Sequence, residues 1–277
     1  MAESYGWAGK LLRVNLTTGE ITTEDDTQYH KYIGGMGMAY RIMYEEAPME
    51  LDPYDEKALV IFGVGPLTGA GVPCSGRMNV TFRSTWSKGK SIVDGHMGGH
   101  IGPMLKYAGY DGIIISGISE KPVYLRIEDG DVSLEDASAI WGKGTFAANK
   151  WMVEQNGREF EPASIGPAGE KKVLLAAIMN DKDRAAGRSG VGAVMGSKKL
   201  KAIVVKATRK KLDNIADLDA LKVAAKNAMD VLKANPVTGS GLRQLGTAVL
   251  VNIVNNIGAF PTKNWQESYY DKGDDIS

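Results

Sequence analysis

Two glycine-rich stretches, each leading into a buried strand, constrain the fold of this chain more than any other feature. The first covers residues 95–112 and the second 183–203, and the apolar segments before them end in Gly-Pro at 65–66 and 166–167. Each copy has the same order: a glycine cluster, a short helix with a basic residue, a small residue and a strand. This shared order indicates an internal duplication.

The second glycine-rich stretch has the composition of an anion-binding loop. Small residues leave backbone N–H groups unshielded, and Arg184 and Arg188 are spaced to bind phosphate oxygens together. Helical spacing follows, then an apolar strand at 203–205, so the loop would precede a helix N-terminus that favours anions. A glycine-rich turn with solvated arginines is the alternative. Two such loops suggest two phosphorylated ligands, or one ligand with two phosphate-bearing halves.

Composition limits what these loops could serve. The chain has 277 residues, 43% of them hydrophobic, and its 33 basic and 33 acidic residues cancel. A neutral chain without a long basic run is not expected to bind nucleic acid, and no apolar stretch is long enough to span a membrane. Residues 1–4 show neither the basic region nor the apolar core of a signal peptide, so we expect a cytoplasmic location.

Cysteine and histidine are sparse in the sequence. Cys74 is the one cysteine, so this chain alone cannot form an internal disulfide, an iron–sulfur cluster or a structural zinc site. A packed thiol is favoured over a nucleophile, because Pro73 and Ser75 supply no base. His96 and His100 are four residues apart, but the glycines between them disfavour the regular helix that a two-histidine metal face requires.

Apolar patterns predict a sheet-rich α+β domain. Alternation on both sides of a glycine turn predicts a β-hairpin at 10–23. Strands outnumber helices and hairpins recur, so we expect mixed or antiparallel sheets rather than a doubly wound sheet. The other predicted strands lie at 59–62, 78–82, 113–115, 122–127, 131–134, around 163, at 174–179 and at 203–205, and helices lie at 38–46 and 145–156.

The character of the sequence changes near residue 209. Helical patterns occupy 218–234 and 247–256 and are followed by a polar tail. We therefore expect a first domain at 1–208 and the start of an incomplete α-helical domain at 209–277. Two helices have too few companions to bury their apolar faces, which predicts self-association or a partner.

Five separated motifs, taken together, are far more specific than one glycine loop. They are Gly-Lys-Leu-Leu-Arg-Val-Asn-Leu-Thr-Thr-Gly at 9–19, Gly-Pro-Leu-Thr-Gly at 65–69, Lys-Tyr-Ala-Gly-Tyr-Asp at 106–111, and the stretches 184–203 and 255–264. In this order they resemble the N-terminal region of the tungsten-containing aldehyde ferredoxin oxidoreductase family, across the whole chain. The family implies tungsten held by the dithiolenes of two pyranopterins, whose phosphates are bridged by Mg²⁺. Such a cofactor explains two anion-binding loops in one fold.

The resemblance carries cofactor-binding roles onto the first half of the chain. Arg77 matches the family's pterin-contacting arginine, although a plain surface arginine is the alternative. The segment His96, Met97, Gly98 and Gly99 matches a cofactor-binding segment that begins with asparagine in several members. The departure at His96 is tolerable if the family contact is made by the backbone carbonyl to magnesium, which any side chain permits.

The second half carries the matching segment. Arg184, Ala185, Gly187 and Arg188 match the second pterin segment of the family, with the Ala185 carbonyl as the second magnesium ligand. Family members place the acid and base groups of the reaction in helical domains beyond these residues. No catalytic residue is therefore assigned within this chain.

The family implies two-electron oxidation of a small aldehyde to a carboxylic acid, or the reverse, with electrons leaving through a [4Fe-4S] cluster to ferredoxin or an electron-transfer subunit. The cluster cysteines of the family lie downstream of the matched residues, so we expect a fragment or incomplete subunit that is inactive alone. The alternative is a non-catalytic cofactor-binding module that needs a partner chain carrying the cluster. A homodimer is compatible with either. The sequence gives neither the aldehyde nor tungsten over molybdenum.

Overall fold

The structure is a computed structural model that describes residues 4–48 and 50–277. Contacts divide the chain into two units, the first ending at Ala216 and the second covering Asp217–Ser277. Residues 1–3, part of the segment compared with a signal peptide, lie outside the described residues. Within the described ranges, no helix combines the length and the apolar character needed to cross a membrane.

Six strands of the first unit form one mixed sheet. They are β1 (Lys10–Asn15), β2 (Ile21–Asp25), β3 (Val60–Gly63), β4 (Met78–Arg83), β5 (Ile92–Met97) and β6 (Gly112–Ser116). Their order in the sheet is β2-β1-β6-β3-β4-β5. Every neighbouring pair is antiparallel except β1 with β6, which is parallel. The predicted hairpin at 10–23 is confirmed by the pairing of β1 with β2.

The second sheet repeats this topology. Its strands are β7 (Val123–Glu128), β8 (Asp131–Asp136), β9 (Glu161–Ser164), β10 (Ile178–Asn180), β11 (Arg184–Ala186) and β12 (Leu200–Lys206), in the order β11-β10-β9-β12-β7-β8. Only β7 with β12 is parallel. In both sheets a hairpin is followed by three antiparallel strands and by a last strand that returns beside the first. The predicted internal duplication and mixed sheets are confirmed.

Helices cover the outer faces of the two sheets. Helix α1 (Gly35–Glu46) packs on the first sheet and α3 (Thr145–Asn156) on the second. Three shorter helices complete the repeats: α2 (Ile101–Tyr107), α4 (Pro167–Glu170) and α5 (Val191–Ser197). Both α2 and α5 lead into the last strand of their sheet, as the order of elements in the two glycine-rich stretches predicted.

The inner faces of the sheets share one hydrophobic core. Adjacent strand residues point to opposite faces, so Ile61 packs with α1 whereas Phe62 enters the shared core. In the second sheet Val204 packs with α3 whereas Ile203 enters the same shared core. The layers are therefore α1, the first sheet, the second sheet and α3. This arrangement explains why the central strands read as continuous apolar runs.

The second unit is helical. It contains α6 (Leu218–Ala234), α7 (Leu242–Leu245) and α8 (Val251–Asn256). Asp217 caps α6, because its Oδ1 accepts from the backbone N–H groups of Asp219 at 3.0 Å and Ala220 at 2.9 Å. The helix predicted at 218–234 is confirmed. The helix predicted at 247–256 is divided, since Gly246–Leu250 forms a 3₁₀ turn before α8.

Some boundaries differ from the sequence prediction. The glycine clusters were expected to be loops, but β5 ends at Met97 and β11 covers Arg184–Ala186, so both clusters begin as edge strands. Gly95 lowers the strand propensity of β5, and pairing with β4 overrides it, while β11 forms through pairing with β10. The strand predicted at 174–179 is also shorter, because Leu174 and Leu175 are exposed in a turn before β10.

Register fixes which residues of the two halves are equivalent. Both halves place a Gly-Pro step two residues after the third strand of their repeat, which makes Gly63 and Ser164 equivalent. Gly63 pairs with Asn79 on one side, and Ser164 pairs with Met179. Asn79 and Met179 therefore occupy the same position of the repeat.

Backbone hydrogen bonds give a second equivalence. The Val64 N–H donates to the carbonyl oxygen of Asp111 at 2.9 Å, and the Ile165 N–H donates to that of Lys201 at 3.0 Å. Val64 and Ile165 each directly follow the equivalent residues Gly63 and Ser164. Asp111 and Lys201 are therefore equivalent, although their charges are opposite.

Candidate functional site

The two glycine-rich segments meet at the outer strands β5 and β11 of the two sheets. A Cβ atom built on Gly95 would stand 3.6 Å from the Ala186 Cβ, and one built on Gly98 would stand 3.3 Å from the Arg184 Cδ. The sequence predicted two related segments without predicting their contact. The structure brings them together into one surface, because each lies at the free edge of its sheet.

His96 and Ala185 occupy equivalent positions on these edges. His96 pairs with Asn79, and Ala185 pairs with Met179, and the two partners are themselves equivalent. Both His96 and Ala185 are exposed. The duplication therefore presents two matching stretches of backbone, one from each half, at the contact between the sheets.

The His96 side chain is held by a neighbouring carboxylate. His96 Nε2 lies 2.7 Å from Asp94 Oδ2, and the Tyr40 hydroxyl donates to Asp94 Oδ1 at 2.9 Å. Burial and the Asp94 carboxylate raise the pKa of Tyr40 to about 12. The His96 imidazole is therefore engaged within its own sheet. Met97 is fully buried in the shared core, so it can offer only backbone atoms to a ligand.

Gly98 and Gly99 form the turn after β5. Gly99 has φ +87°, a backbone conformation that favours glycine, and a Cβ on it would overlap Asn180 Oδ1. Gly187 is exposed, with nothing closer than 3.9 Å to the position of a Cβ. The turn at Gly99 therefore requires glycine for steric reasons. At Gly187 a larger residue would fit, and the glycine leaves the backbone accessible.

Three exposed arginines surround these turns. Arg77 directly precedes Met78, which pairs with Met97 across β4 and β5, so Arg77 lies beside the Gly98 turn. The Arg184 side chain lies at Gly98, and its nearest acidic partner is Asp183 at 3.8 Å. Within the described ranges, no carboxylate lies within 4.0 Å of the guanidinium groups of Arg77 or Arg188. The guanidinium groups of these arginines are thus little neutralised by carboxylates.

Arg77 also lines a cavity of about 370 Å³. The cavity is formed by the loop after β3 and includes Thr68 and Cys74. Cys74 is exposed and has φ +63°, so the prediction of a packed thiol is wrong. The turn holds the residue outside the core, which the sequence around it did not reveal.

Several polar residues near the Gly99 turn were missed by sequence reasoning. His100, Glu161 and Asp181 offer ligand atoms that lie within 4.8 Å of one another. They come from separate elements: His100 precedes α2, Glu161 begins β9 and Asp181 follows β10. The available sequence signal was weak, since each polar residue merely follows or begins a strand or glycine cluster.

The arrangement suits the binding of a large anion. It combines open glycine backbone, two equivalent edge segments and arginines from both halves. It brings Gly98 together with Arg184, and Gly95 with Ala186, while Arg188 remains exposed beyond Gly187. Such a surface can bind and orient a ligand.

Comparison with known proteins gives two family matches. The family described as aldehyde ferredoxin oxidoreductase, N-terminal domain, matches residues 11–207. The family described as aldehyde ferredoxin oxidoreductase, domains 2 and 3, matches residues 223–277. The matches therefore fall on the duplicated sheets and on the helical part of the chain.

Curated relatives match almost the whole chain. The tungsten-containing aldehyde ferredoxin oxidoreductase of Pyrococcus furiosus is 44% identical over 269 residues, which is 96% of this chain and 44% of that protein. The enzyme of the same name from Thermococcus kodakarensis is 44% identical over 272 residues, with the same shares covered. The aliphatic sulfonate oxidoreductase, WOR-like subunit, of Pyrococcus furiosus is 35% identical over 289 residues. The chain thus spans 44% of the length of these curated relatives.

A solved structure shares the fold. It is the active site complex BamBC of benzoyl coenzyme A reductase in complex with 1,5-dienoyl-CoA, and it matches with a TM-score of 0.79 at 35% sequence identity. The match covers 83% of this chain and 35% of the other chain.

Proposed function

The chain belongs to the aldehyde ferredoxin oxidoreductase family, and from that membership we propose that it forms the pterin-binding part of a tungsten enzyme oxidising aldehydes to carboxylic acids, or the reverse. The observation that carries the proposal is the meeting of two equivalent glycine segments at the edges of two duplicated sheets, the first beside Arg77 and the second carrying Arg184 and Arg188. A cofactor with two pyranopterin halves requires two such segments.

The proposed domains are a pterin-binding domain at 1–208 and the start of a helical domain at 209–277. The family matches support this division, since they end at 207 and begin again at 223. The change from sheets to helices supports it as well.

The residues present fit a bis-pyranopterin cofactor. Gly187 leaves space beside its backbone for a ligand, because nothing stands closer than 3.9 Å to the position of a Cβ. Arg77 and Arg188 have guanidinium groups that no carboxylate neutralises within the part of the chain that the structure describes. Charge-assisted bonds to phosphate are stronger than neutral ones, so these arginines are suited to anionic ligand groups.

Each half is proposed to hold one pterin. Arg77 and the backbone of 96–99 would bind one half of the cofactor, and Arg184, Ala185, Gly187 and Arg188 would bind the other. The carbonyl oxygens of His96 and Ala185 would be ligands for Mg²⁺, which their equivalent register positions support. When bound, the tungsten centre supplies the two-electron chemistry, and the protein positions it.

The proposed electron carrier is ferredoxin or an electron-transfer subunit, reached through a [4Fe-4S] cluster. Cys74 is the one cysteine among these 277 residues, so the cluster ligands would be cysteines outside them. The proposed location is the cytoplasm, whose reducing conditions preserve an exposed thiol such as Cys74. The proposed substrate is a small aldehyde or acid.

A second candidate is a cofactor-binding subunit whose partner chain carries the cluster. Two comparisons favour it: the matching structure is an active site complex, and one relative is described as a subunit. The two candidates assign the same role to residues 77, 96–99 and 184–188. They differ in where the cluster cysteines are encoded.

The test is to produce the chain in cells supplied with tungstate and to assay both cofactor and turnover. We expect purified chain to contain tungsten and pterin but to give no aldehyde-dependent reduction of a low-potential acceptor, because it lacks cluster ligands. Folded protein without tungsten and pterin would contradict the cofactor site. Turnover by the purified chain alone would contradict the proposal that electron transfer needs cluster cysteines from outside these residues.

A further inference from the structure

A group of polar side chains beside the Gly99 turn has the composition of a metal site. His100 Nδ1 lies 3.3 Å from Asp181 Oδ2, and one ligand atom each from His100, Glu161 and Asp181 lies within 4.8 Å of the others. Two donors that each lie about 2.0–2.2 Å from one metal ion stand at most about 4.4 Å apart, and the 3.3 Å between His100 Nδ1 and Asp181 Oδ2 falls within this limit. The three residues come from both halves of the duplication.

Asn180 supplies a fourth donor atom. The residue is fully buried, and within the described residues its Oδ1 accepts no hydrogen bond. Its Nδ2 donates to the Pro162 carbonyl oxygen at 2.9 Å, which fixes the orientation of the amide. A buried acceptor without a partner destabilises the folded state, so an unpaired amide oxygen indicates a missing partner.

The Asn180 oxygen faces the same space as the Asp181 carboxylate. A Cβ on Gly99 would overlap Asn180 Oδ1 and would stand 2.6 Å from Asp181 Oδ2. Both oxygens therefore converge on the Gly99 turn, directly before His100. This is an observation separate from the clustering of the histidine and the two carboxylates.

The charge around these donors is not balanced. Glu161 and Asp181 are half-buried carboxylates, and among the residues that the structure describes no lysine or arginine lies within 4.0 Å of either. Burial and the neighbouring Asp181 raise the pKa of Glu161. A divalent cation would compensate both carboxylates at once.

The donors are held on rigid elements. Asn180 ends β10 and pairs with Ala163 of β9, the strand that Glu161 begins. The Asp181 carbonyl accepts from Asn149 Nδ2 at 3.2 Å. A cavity of about 680 Å³ is lined by Glu161 and Asp181, among other residues, and gives an ion access from solvent. Preorganised donors with an entry path are the conditions for a metal site.

We propose that His100, Glu161, Asp181 and Asn180 bind a divalent transition-metal ion of the zinc or manganese type. One imidazole nitrogen with carboxylate and amide oxygens suits these ions better than magnesium or calcium, which prefer oxygen alone. The ion would join the start of α2 in the first half to β9 and β10 in the second. It would thus fasten the two halves together beside the edge strands.

The test is zinc binding to the full chain after dialysis against a chelator. Calorimetry is expected to show one Zn²⁺ site per chain with a Kd in the micromolar range or below, and Zn²⁺ is expected to raise the melting temperature. Asp181→Asn and His100→Ala are expected to weaken zinc binding at least tenfold. Added Mg²⁺ at the same concentration is expected not to compete.

Two control variants make the test specific. Asp183→Asn and Glu154→Gln each remove an exposed carboxylate that lines the same cavity. Both are expected to keep the wild-type zinc affinity. No saturable binding by folded protein, or equal affinity in wild type, His100→Ala and Asp181→Asn, would overturn the proposal, as would equal weakening in the controls. Tungsten and pterin content, measured on the same samples, reports the cofactor site separately.

Discussion

The two halves of the first unit bury an ion pair at the same point of the repeat, but with opposite polarity. The equivalent residues are Asp111 and Lys201. Lys106 from α2 pairs with Asp111, whereas Glu170 from α4 pairs with Lys201 at 2.5 Å. Both lysines are fully buried. Each half therefore has a buried charge pair at the start of its last strand, and the residue at this position is acidic in the first half and basic in the second.

In both halves the carboxylate also fixes a loop. Asp111 Oδ2 accepts from the backbone N–H groups of Ala8 at 2.6 Å and Gly9 at 2.8 Å. Glu170 Oε2 accepts from the N–H of Gly142 at 2.8 Å. In each half, a buried carboxylate therefore holds a loop in place. The residue that supplies this carboxylate differs between the halves.

The halves differ in the charges that surround each pair. In the first, Asp26 is buried near Lys106 and Asp111, and burial with Asp111 raises the pKa of Asp26. In the second, Lys198 is buried with carbonyl partners, the closest being Gly117 O at 3.1 Å. Burial lowers the pKa of Lys198 to about 8. Buried carboxylates therefore outnumber buried ammonium groups around the pair of the first half, and the reverse holds around the pair of the second half.

The largest effect is expected from removing the lysine of the first half. Lys106→Met leaves Asp111 without its cation and leaves Asp26 with only the His30 imidazole, whose Nε2 lies 2.7 Å from Asp26 Oδ1. Breaking a buried pair costs about 3–5 kcal/mol of the free energy of unfolding. Lys201→Met leaves the single carboxylate of Glu170 without its cation. This variant is therefore expected to lose less of the free energy of unfolding than Lys106→Met. Urea unfolding at neutral pH measures both.

The pH dependence of these variants sharpens the comparison. A buried carboxylate without a cation has a raised pKa in the folded state, so Lys106→Met should regain stability as pH falls below neutral. Lys57→Met, at an exposed lysine of the same half, is the control and should change stability by less than about 0.5 kcal/mol. A loss in Lys106→Met no larger than in this control would contradict the role of the buried pair.

A smaller effect is expected from Lys198 at alkaline pH. Its folded pKa of about 8 lies below the ordinary value of 10.5, so between these values the unfolded state binds more protons and stability rises with pH. Lys198→Met lacks this contribution. As the pH rises from about 8 to about 10, the free energy of unfolding of the wild type should increase by about 2 kcal/mol relative to that of the variant.

The matched control for Lys198 is its neighbour Lys199, whose Nζ donates to the Glu120 carbonyl at 2.6 Å. Lys199→Met should keep the wild-type pH dependence of the urea midpoint. If Lys198→Met also keeps the wild-type pH dependence of the urea midpoint, the buried ammonium of Lys198 does not cause that dependence. The proposed electrostatic difference between the two halves would then be wrong.

The sequence predicted the duplication because its markers are local. Gly-Pro steps, glycine clusters and apolar runs recur in the same order, and each can be read within a few residues. The two buried ion pairs could not be read this way. Lys201 meets Glu170 from a different element, and nothing in the sequence near Lys201 indicates that its side chain is buried.

The candidate site was predicted in part for the same reason. Arg77, Arg184 and the glycines stood out as motifs, but β5 and β11 form only through pairing at the sheet edges. The approach of Arg184 to Gly98 and the grouping of His100 with Asp181 depend on how the two sheets pack. These are tertiary effects, which a local pattern cannot contain.

The central claim is that each half holds one pterin of a shared cofactor. A charge-assisted bond contributes roughly 1.5–3 kcal/mol, so loss of one arginine should weaken cofactor retention about tenfold or more. Arg184 and Arg188 belong to one half and are partly redundant if they share a phosphate. Arg77 belongs to the other half, so the loss of cofactor retention caused by removing Arg77 should add to the loss caused by removing Arg188.

The most direct measurement is the tungsten and pterin content of two double variants purified from cells supplied with tungstate. The pairs are Arg77→Ala with Arg188→Ala, and Arg184→Ala with Arg188→Ala, with the exposed Arg158→Ala as control. We predict that the pair drawn from both halves loses more cofactor than the pair drawn from one, while the control retains it. Wild-type cofactor content in both folded double variants would contradict the claim, since the glycine segments would then be structural turns.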